Sequence, residues 1–202
     1  MASPVIASPR RPRYRRLVVC YDRLYRVLHG LDRPVTQVGP ALRVAVRRLW
    51  RARRLPDGTA LARGARIGVL HLNNERLVAL HVDGLGPMAI GLELRRLLFA
   101  SLRALAAAVA AGPFADVRAF VATTIFHERL QRLGFVPEPR APAWARLHAA
   151  YQRALLASLH PAGALRLRRL AYQEARRVWL SREALLARYG PEADVSRVAD
   201  GA

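Results

Sequence analysis

The sequence contains no lysine: its 34 basic residues are all arginine, they outnumber 14 acidic residues, and the formal net charge is +20. The single cysteine, Cys20, excludes an intramolecular disulfide framework and a cysteine-based zinc site. No segment has the roughly 18 consecutive apolar residues of a membrane-spanning helix, and the first 16 residues lack the apolar core of a secretory signal. We therefore expect a protein without a transmembrane segment, located in the cytoplasm.

The arginine excess is unevenly distributed. Residues 1–60 carry 14 Arg against 3 acidic residues (+11), residues 61–120 carry 7 against 4 (+3), and residues 121–202 carry 13 against 7 (+6). Because phosphate accepts lysine as readily as arginine, the missing lysine indicates a GC-rich coding bias rather than selection for nucleic acid. The N-terminal excess predicts either a basic arm that binds nucleic acid or an anionic membrane, or a solvated basic surface without a partner.

Short segments with strand periodicity alternate with longer segments of helical periodicity, which predicts an α/β fold. We expect a single domain over residues 14–190, with a mixed sheet covered by helices that could be GNAT-like. Residues 1–13 are predicted to form a flexible basic arm, and residues 191–202 a flexible tail. In residues 42–47 apolar positions alternate with Arg43 and Arg47, which predicts a half-exposed strand. Further elements are predicted over residues 66–72 (strand), 88–111 (helix), 117–122 (strand) and 182–189 (helix).

The most informative polar segment follows the strand predicted at residues 66–72. It carries His71, then Asn73, Asn74 and Glu75. Ligand sites in α/β sheets form at the carboxyl ends of strands, and asparagine offers donors and acceptors to a hydroxylated ligand such as a sugar. The alternative is structural: one asparagine caps a helix, and His71 is a satisfied core residue.

A second candidate segment follows the next apolar strand and contains Thr124 and His127. If the two strands are neighbours, His71 and His127 could meet over one pocket and serve in general acid–base catalysis. The sequence contains no His-x-x-x-His pair of the kind that binds zinc on one helix face. We therefore predict no metal site.

A third candidate is the glycine-rich turn with Gly84 and Gly86, which precedes the long helix and could cradle a phosphate group. It lacks the lysine of a P-loop and the third glycine of a dinucleotide fingerprint. The order of strand, turn, helix, strand and helix, followed by Leu133-Gly134-Phe135, resembles the acetyl-CoA-binding half of GNAT acetyltransferases. That resemblance implies that Gly84 and Gly86 hold the pyrophosphate, although His81 stands where the family's turn begins with Gln or Arg. A plain connecting loop is the alternative.

Several short motifs together resemble the YkoP-like domain family over about residues 14–190. The most specific is His71-Leu72-Asn73-Asn74. The others are Tyr21-Asp22-Arg23-Leu24-Tyr25, Asp57-Gly58, Gly64, Phe126-His127, Leu133-Gly134-Phe135, His160-Pro161 and Val178-Trp179-Leu180-Ser181-Arg182. This family occurs as stand-alone bacterial proteins and as a C-terminal domain of polysaccharide deacetylases. The resemblance implies a link with envelope polysaccharide but no particular reaction, and the chain has no deacetylase metal motif.

Three functions stay open. The first is binding of a polar, hydroxylated ligand in or beside envelope polysaccharide metabolism, with a deacetylase or another envelope enzyme as partner. The second is acyl transfer from acetyl-CoA, and the third is an adaptor that binds nucleic acid or an anionic membrane through its basic N-terminus. We predict no bound cofactor, and the sequence leaves open whether the protein is an enzyme.

Overall fold

The computed structural model describes residues 36–73, 86–141, 143–159 and 174–191. The arm predicted over residues 1–13 lies outside these ranges, and so do residues 192–202 of the predicted tail. The described strands are β1 (Gln37–Val38), β2 (Leu42–Arg48), β3 (Arg53–Arg54), β4 (Ala60–Leu61), β5 (Arg66–Leu72), β6 (Ala119–Thr124), β7 (Val136–Pro137) and β8 (Arg176–Ser181). The described helices are α1 (Pro87–Ala111), α2 (His127–Gln131), α3 (Ala145–Leu159) and α4 (Arg182–Tyr189).

Six of these strands form one mixed sheet in the order β1-β2-β5-β6-β8-β7, and β3 and β4 form a separate hairpin. Strands β5 and β6 are parallel, while the other neighbours in the sheet are antiparallel. This arrangement confirms the predicted α/β class and the mixed sheet covered by helices. Within the described residues, no helix is both long enough and apolar enough to cross a membrane.

Helices α1 and α4 cover one face of the sheet. Leu102 and Leu105 of α1 and Leu185 of α4 are buried in the same cluster as Val44 and Phe120 of the sheet. A smaller apolar cluster lies on the opposite face and includes Leu55, Leu61, Ile67, Val121 and Trp179. The main core therefore lies between the sheet and these two helices.

Strand β2 differs from its prediction. Arg43 was expected to be exposed by its alternation with apolar residues, but it is only 9% exposed. The physical reason is position: β2 lies between β1 and β5, and Arg43 is the register partner of both Gln37 and His71. Arg47, nearer the far end of the same strand, is exposed as predicted.

The two parallel strands are paired over a short length only. Their register runs from Ile67–Ala119 to Val69–Val121, although β5 continues to Leu72 and β6 to Thr124. We call the space between the two strand ends, beyond Val69 and Val121, the wedge. Because β5 and β6 are parallel, the wedge lies at the carboxyl ends of both strands.

Candidate functional site

Strand β5 carries His71 and Asn73 to the wedge. The backbone N–H of Asn73 donates to the carbonyl oxygen of Ala41 over 2.8 Å, so the end of β5 stays attached to the segment before β2. The side-chain Oδ1 of Asn73 is buried and accepts no hydrogen bond from the described residues. A buried amide oxygen without a donor is unusual in folded proteins, so it indicates a position where an additional donor can bind.

A row of polar side chains crosses one face of the sheet at this end. Register partners share a face, which pairs Arg43 with His71 on β2 and β5, and Thr123 with Arg177 on β6 and β8. His71 and Thr123 each lie two residues beyond the paired Val69 and Val121, so all four polar residues lie on one face. His71 and Thr123 therefore share a sheet face at the carboxyl ends of β5 and β6, and Thr123 is the first residue of the second candidate segment.

Strand β6 ends in a turn that leads into α2. Thr124 lies on the sheet face opposite to His71, and its hydroxyl accepts a hydrogen bond from the N–H of Phe126 over 3.0 Å. His127 is the first residue of α2, and its Nδ1 is buried without a hydrogen-bond partner among the described residues. Asn73 and His127, at the ends of adjacent parallel strands, thus both carry an unsatisfied buried atom.

The β6 side of the wedge is closed by Gln152 of α3. Its Oε1 accepts from the N–H of Ile125 and its Nε2 donates to the carbonyl of Thr123, each over 2.8 Å. Strand β8 occupies one edge of β6 as far as Thr124. The Gln152 amide therefore lies on the other edge of β6, which faces β5. One side chain therefore supplies the two hydrogen bonds that a continuing neighbour strand would supply.

His148 lies one helical turn before Gln152 and contacts the same backbone. Its Nε2 is 3.2 Å from the carbonyl oxygen of Thr123 and 3.1 Å from Nε2 of Gln152. A neutral ring satisfies one of these contacts: protonated on Nε2 it donates to Thr123, and protonated on Nδ1 it accepts from Gln152. Burial lowers the pKa of His148, and the hydrogen bond to the backbone of Thr123 opposes part of this effect.

Aromatic and charged side chains extend the site beyond His148. The ring of Trp144 packs edge-on against His148, with centroids 5.3 Å apart, and is 44% exposed. The guanidinium of Arg177 lies 5.8 Å from the Trp144 ring centroid, and its Nη1 is 3.6 Å from Oε1 of Glu138. The β6 side of the wedge is thus bordered by the amide of Gln152 and the imidazole of His148, and the partly exposed indole of Trp144 lies beside them.

Glu138 organises the neighbouring strands. Its Oε1 accepts a hydrogen bond from Nε1 of Trp179 over 2.6 Å and forms an ion pair with Arg53, whose guanidinium lies 5.4 Å from the Trp179 ring centroid. The N–H of Glu138 donates to the carbonyl of Arg177 over 2.8 Å. This network ties the β3–β4 hairpin to β7 and β8 and fixes the position of Arg177 beside the site.

The two glycines of the third predicted segment differ in coverage, because Gly86 is described and Gly84 is not. Gly86 precedes α1 in an extended conformation, with open space where a Cβ would be. Farther along α1, Leu94 and Leu98 pack with Leu72 of β5 against the cluster of Ala41 and Leu97. Asn74, Glu75 and Gly84 lie outside the described residues, and no group of three metal-ligating side chains is found within them.

Sequence reasoning missed His148 and Gln152. A signal was present, because these two residues follow Trp144 at four-residue intervals and therefore share one face of α3. A polar pair beside an aromatic residue on one helix face is typical of a contact with another polar structure. The spacing alone could not show that the polar partner of these two residues is the backbone at the end of β6.

Comparison with known proteins gives one family. The family model described as the YkoP domain matches residues 13–189. That range contains every described element of the sheet and its helices. Searches of curated proteins and of solved structures found no match.

Proposed function

From the premise that this chain belongs to the YkoP domain family, we propose that it binds a polar, hydroxylated ligand at the wedge. The observation that carries the proposal is the pair of buried, unsatisfied atoms, Oδ1 of Asn73 and Nδ1 of His127, at the ends of adjacent parallel strands. Each such atom carries an energetic penalty until a partner arrives, and a ligand that supplies the partners removes it.

The unsatisfied oxygen of Asn73 favours hydroxyl over ionised carboxylate or phosphate as the ligand chemistry, because this oxygen needs a hydrogen-bond donor. A hydroxyl both donates and accepts, so it can donate to the Asn73 oxygen and exchange either role with a histidine nitrogen. Trp144 adds a partly exposed ring on which the apolar face of a sugar could lie. Since the family resemblance also links this domain to polysaccharide deacetylases, fragments of envelope polysaccharide are the ligands to test first. If a reaction follows binding, His71 or His127 is the candidate general base.

The test measures affinity and stability together in the Asn73→Ala variant. We expect N-acetylglucosamine oligosaccharides to raise the melting temperature of the wild-type protein, and Asn73→Ala to weaken their binding about tenfold, the equivalent of one hydrogen bond of about 1.4 kcal/mol. Because the Asn73 oxygen is unsatisfied, the same substitution should leave the stability of the unliganded protein unchanged or slightly higher.

Arg118→Ala is the matched control, because this exposed side chain lies at the opposite end of β6. It should leave both affinity and stability unchanged. A wild-type protein that shows no shift with any oligosaccharide, or equal affinity in wild type and Asn73→Ala, would overturn the proposal.

Acyl transfer is the second candidate function, and the topology favours it. Strand β5, long helix α1, strand β6 and short helix α2 follow in the order on which the GNAT resemblance rests, with β5 and β6 as parallel neighbours. Gly86 directly precedes α1, so the pyrophosphate would lie at the N-terminus of that helix. Acetyl-CoA at millimolar concentration in the same melting experiment distinguishes the candidates: a shift with acetyl-CoA and none with sugars would favour acyl transfer.

A further inference from the structure

A basic patch with an exposed tryptophan lies at the end of the sheet opposite to the wedge. Trp50 follows β2 after one residue, Leu49, and is 82% exposed. The wedge end of the β2–β5 pair is marked by the partners Leu42 and Leu72, and the opposite end by Arg48 and Arg66. We use the name Trp50 patch for Trp50 together with five exposed arginines, three within three residues of it and two in or just after the β3–β4 hairpin: Arg47, Arg48, Arg51, Arg54 and Arg63.

The backbone beneath Trp50 is held in place by hydrogen bonds. The N–H of Leu49 donates to the carbonyl of Ala65 over 2.9 Å, and the N–H of Gly64 donates to the carbonyl of Leu49 over 2.8 Å. Trp50 therefore projects from a turn that is fixed on its preceding side. A single exposed apolar side chain is not by itself evidence of a binding surface, so Trp50 indicates one only together with the exposed arginines that accompany it.

The positive charge of the patch is not neutralised by the described part of the chain. Arg53 and Arg66, in the same segment, form ion pairs with Glu138 and Asp116. None of the five arginines of the patch forms an ion pair within the described ranges. The only acidic residue between positions 47 and 66 is Asp57. The patch thus combines five cations with one exposed indole.

We propose that the Trp50 patch docks the protein onto an anionic phospholipid surface, with the indole at the interface and the arginines on the lipid phosphates. Tryptophan favours this interface, and each basic residue near an anionic bilayer strengthens binding. Arg47 and Arg48 are consecutive strand residues and point to opposite faces of the sheet. The cations are therefore not confined to one face of the sheet. This suits the end-on approach of a flat surface better than a nucleic-acid strand, which follows a groove lined with several aromatic residues.

The experiment uses the full chain and co-sedimentation with vesicles of phosphatidylglycerol and phosphatidylcholine. We expect binding to mixed vesicles and little binding to phosphatidylcholine alone. The double variant Arg47→Gln/Arg51→Gln should weaken binding about 25-fold, since each arginine contributes about fivefold. Trp50→Ala should weaken it about tenfold.

Matched controls lie at other parts of the surface. Arg129→Gln/Arg146→Gln removes the same charge from exposed positions of α2 and α3, and Leu147→Ala removes an apolar side chain that is 77% exposed. Both should retain most of the binding. The proposal is overturned if the control and patch variants lose binding equally, or if removal of residues 1–16 abolishes it while the patch variants bind normally. Tighter binding to single-stranded nucleic acid than to vesicles, at equal salt, would also overturn it.

Discussion

The side-chain amide of Gln152 makes two backbone contacts that a β-strand normally makes. A strand that separates from its neighbour leaves backbone N–H and C=O groups unpaired, and such groups need other partners when they are buried in the protein interior. At the end of β6 the amide supplies both, with bonds of 2.8 Å to Thr123 and Ile125. The edge of β6 therefore keeps its backbone hydrogen bonds beyond the point where its pairing with β5 ends.

The histidine beside this amide makes stability depend on pH. Burial lowers the pKa of His148, so the folded protein binds its proton less readily than the unfolded chain, whose pKa is near 6.5. The contribution to stability is therefore complete above pH 6.5 and is lost as the pH falls through that value toward the folded pKa. We expect the free energy of unfolding, measured by urea titration, to fall between pH 7.5 and 5.5, by less than about 1.4 kcal/mol per pH unit, the limit for one proton.

The His148→Gln variant isolates this effect from the other histidines, because it removes one titrating ring and leaves the rest. Its unfolding free energy should depend less steeply on pH than that of the wild type over the same range. Equal slopes for the two proteins would show that His148 does not titrate differently in the folded state.

At the scale of elements, the contact between β5 and β6 depends on a glycine. A Cβ on Gly68 would lie 2.4 Å from Cδ1 and 2.6 Å from Cε1 of Phe120, and 3.1 Å from a methyl group of Val44. Phe120 and Val44 are both fully buried, so neither ring nor methyl can move into solvent. The missing side chain at residue 68 lets the Phe120 ring lie across β5.

Two identical substitutions in different elements should therefore have opposite effects. Gly68→Ala overpacks the core and should destabilise the protein by about 2 kcal/mol. Gly91→Ala lies within α1 where a Cβ meets no atom within 4 Å, and it should stabilise the protein by about 0.5 to 1 kcal/mol through helix propensity. Chemical denaturation of both variants tests the pair; a neutral Gly68→Ala would mean that Phe120 repacks freely.

Elements with a long periodic pattern were predictable, and contacts between elements were not. The helix at residues 88–111 follows from its apolar spacing and its glycine terminator, and it is observed at Pro87–Ala111. The pairing of β5 with β6 is set by contacts such as Phe120 on Gly68, which no local pattern encodes. Gln152 likewise finds its partners 27 and 29 residues earlier in the chain. The candidate residues His71 and Asn73 could be named, but the groups that complete their surroundings could not.

At the scale of the whole molecule, the wedge and the Trp50 patch lie at opposite ends of β2. This strand has seven residues, which span roughly 20 Å. A molecule docked on lipid through Trp50 would therefore hold the wedge about 20 Å from the lipid surface. The two proposals are compatible, and each can fail without the other.

The net charge makes salt act in opposite directions on folding and on vesicle binding. A charge of +20 repels itself in the compact state, and raising NaCl from 0.05 to 0.5 M shortens the screening length from about 14 to about 4 Å. We expect the melting temperature to rise by roughly 3 °C, the equivalent of about 1 kcal/mol for a chain of this length. Over the same range, binding to phosphatidylglycerol vesicles should fall at least about tenfold, because the same screening weakens the contact of the arginines with lipid. A melting temperature that falls with salt would mean that ion pairs such as Arg53–Glu138 outweigh the repulsion, and KCl at equal ionic strength controls for effects specific to sodium.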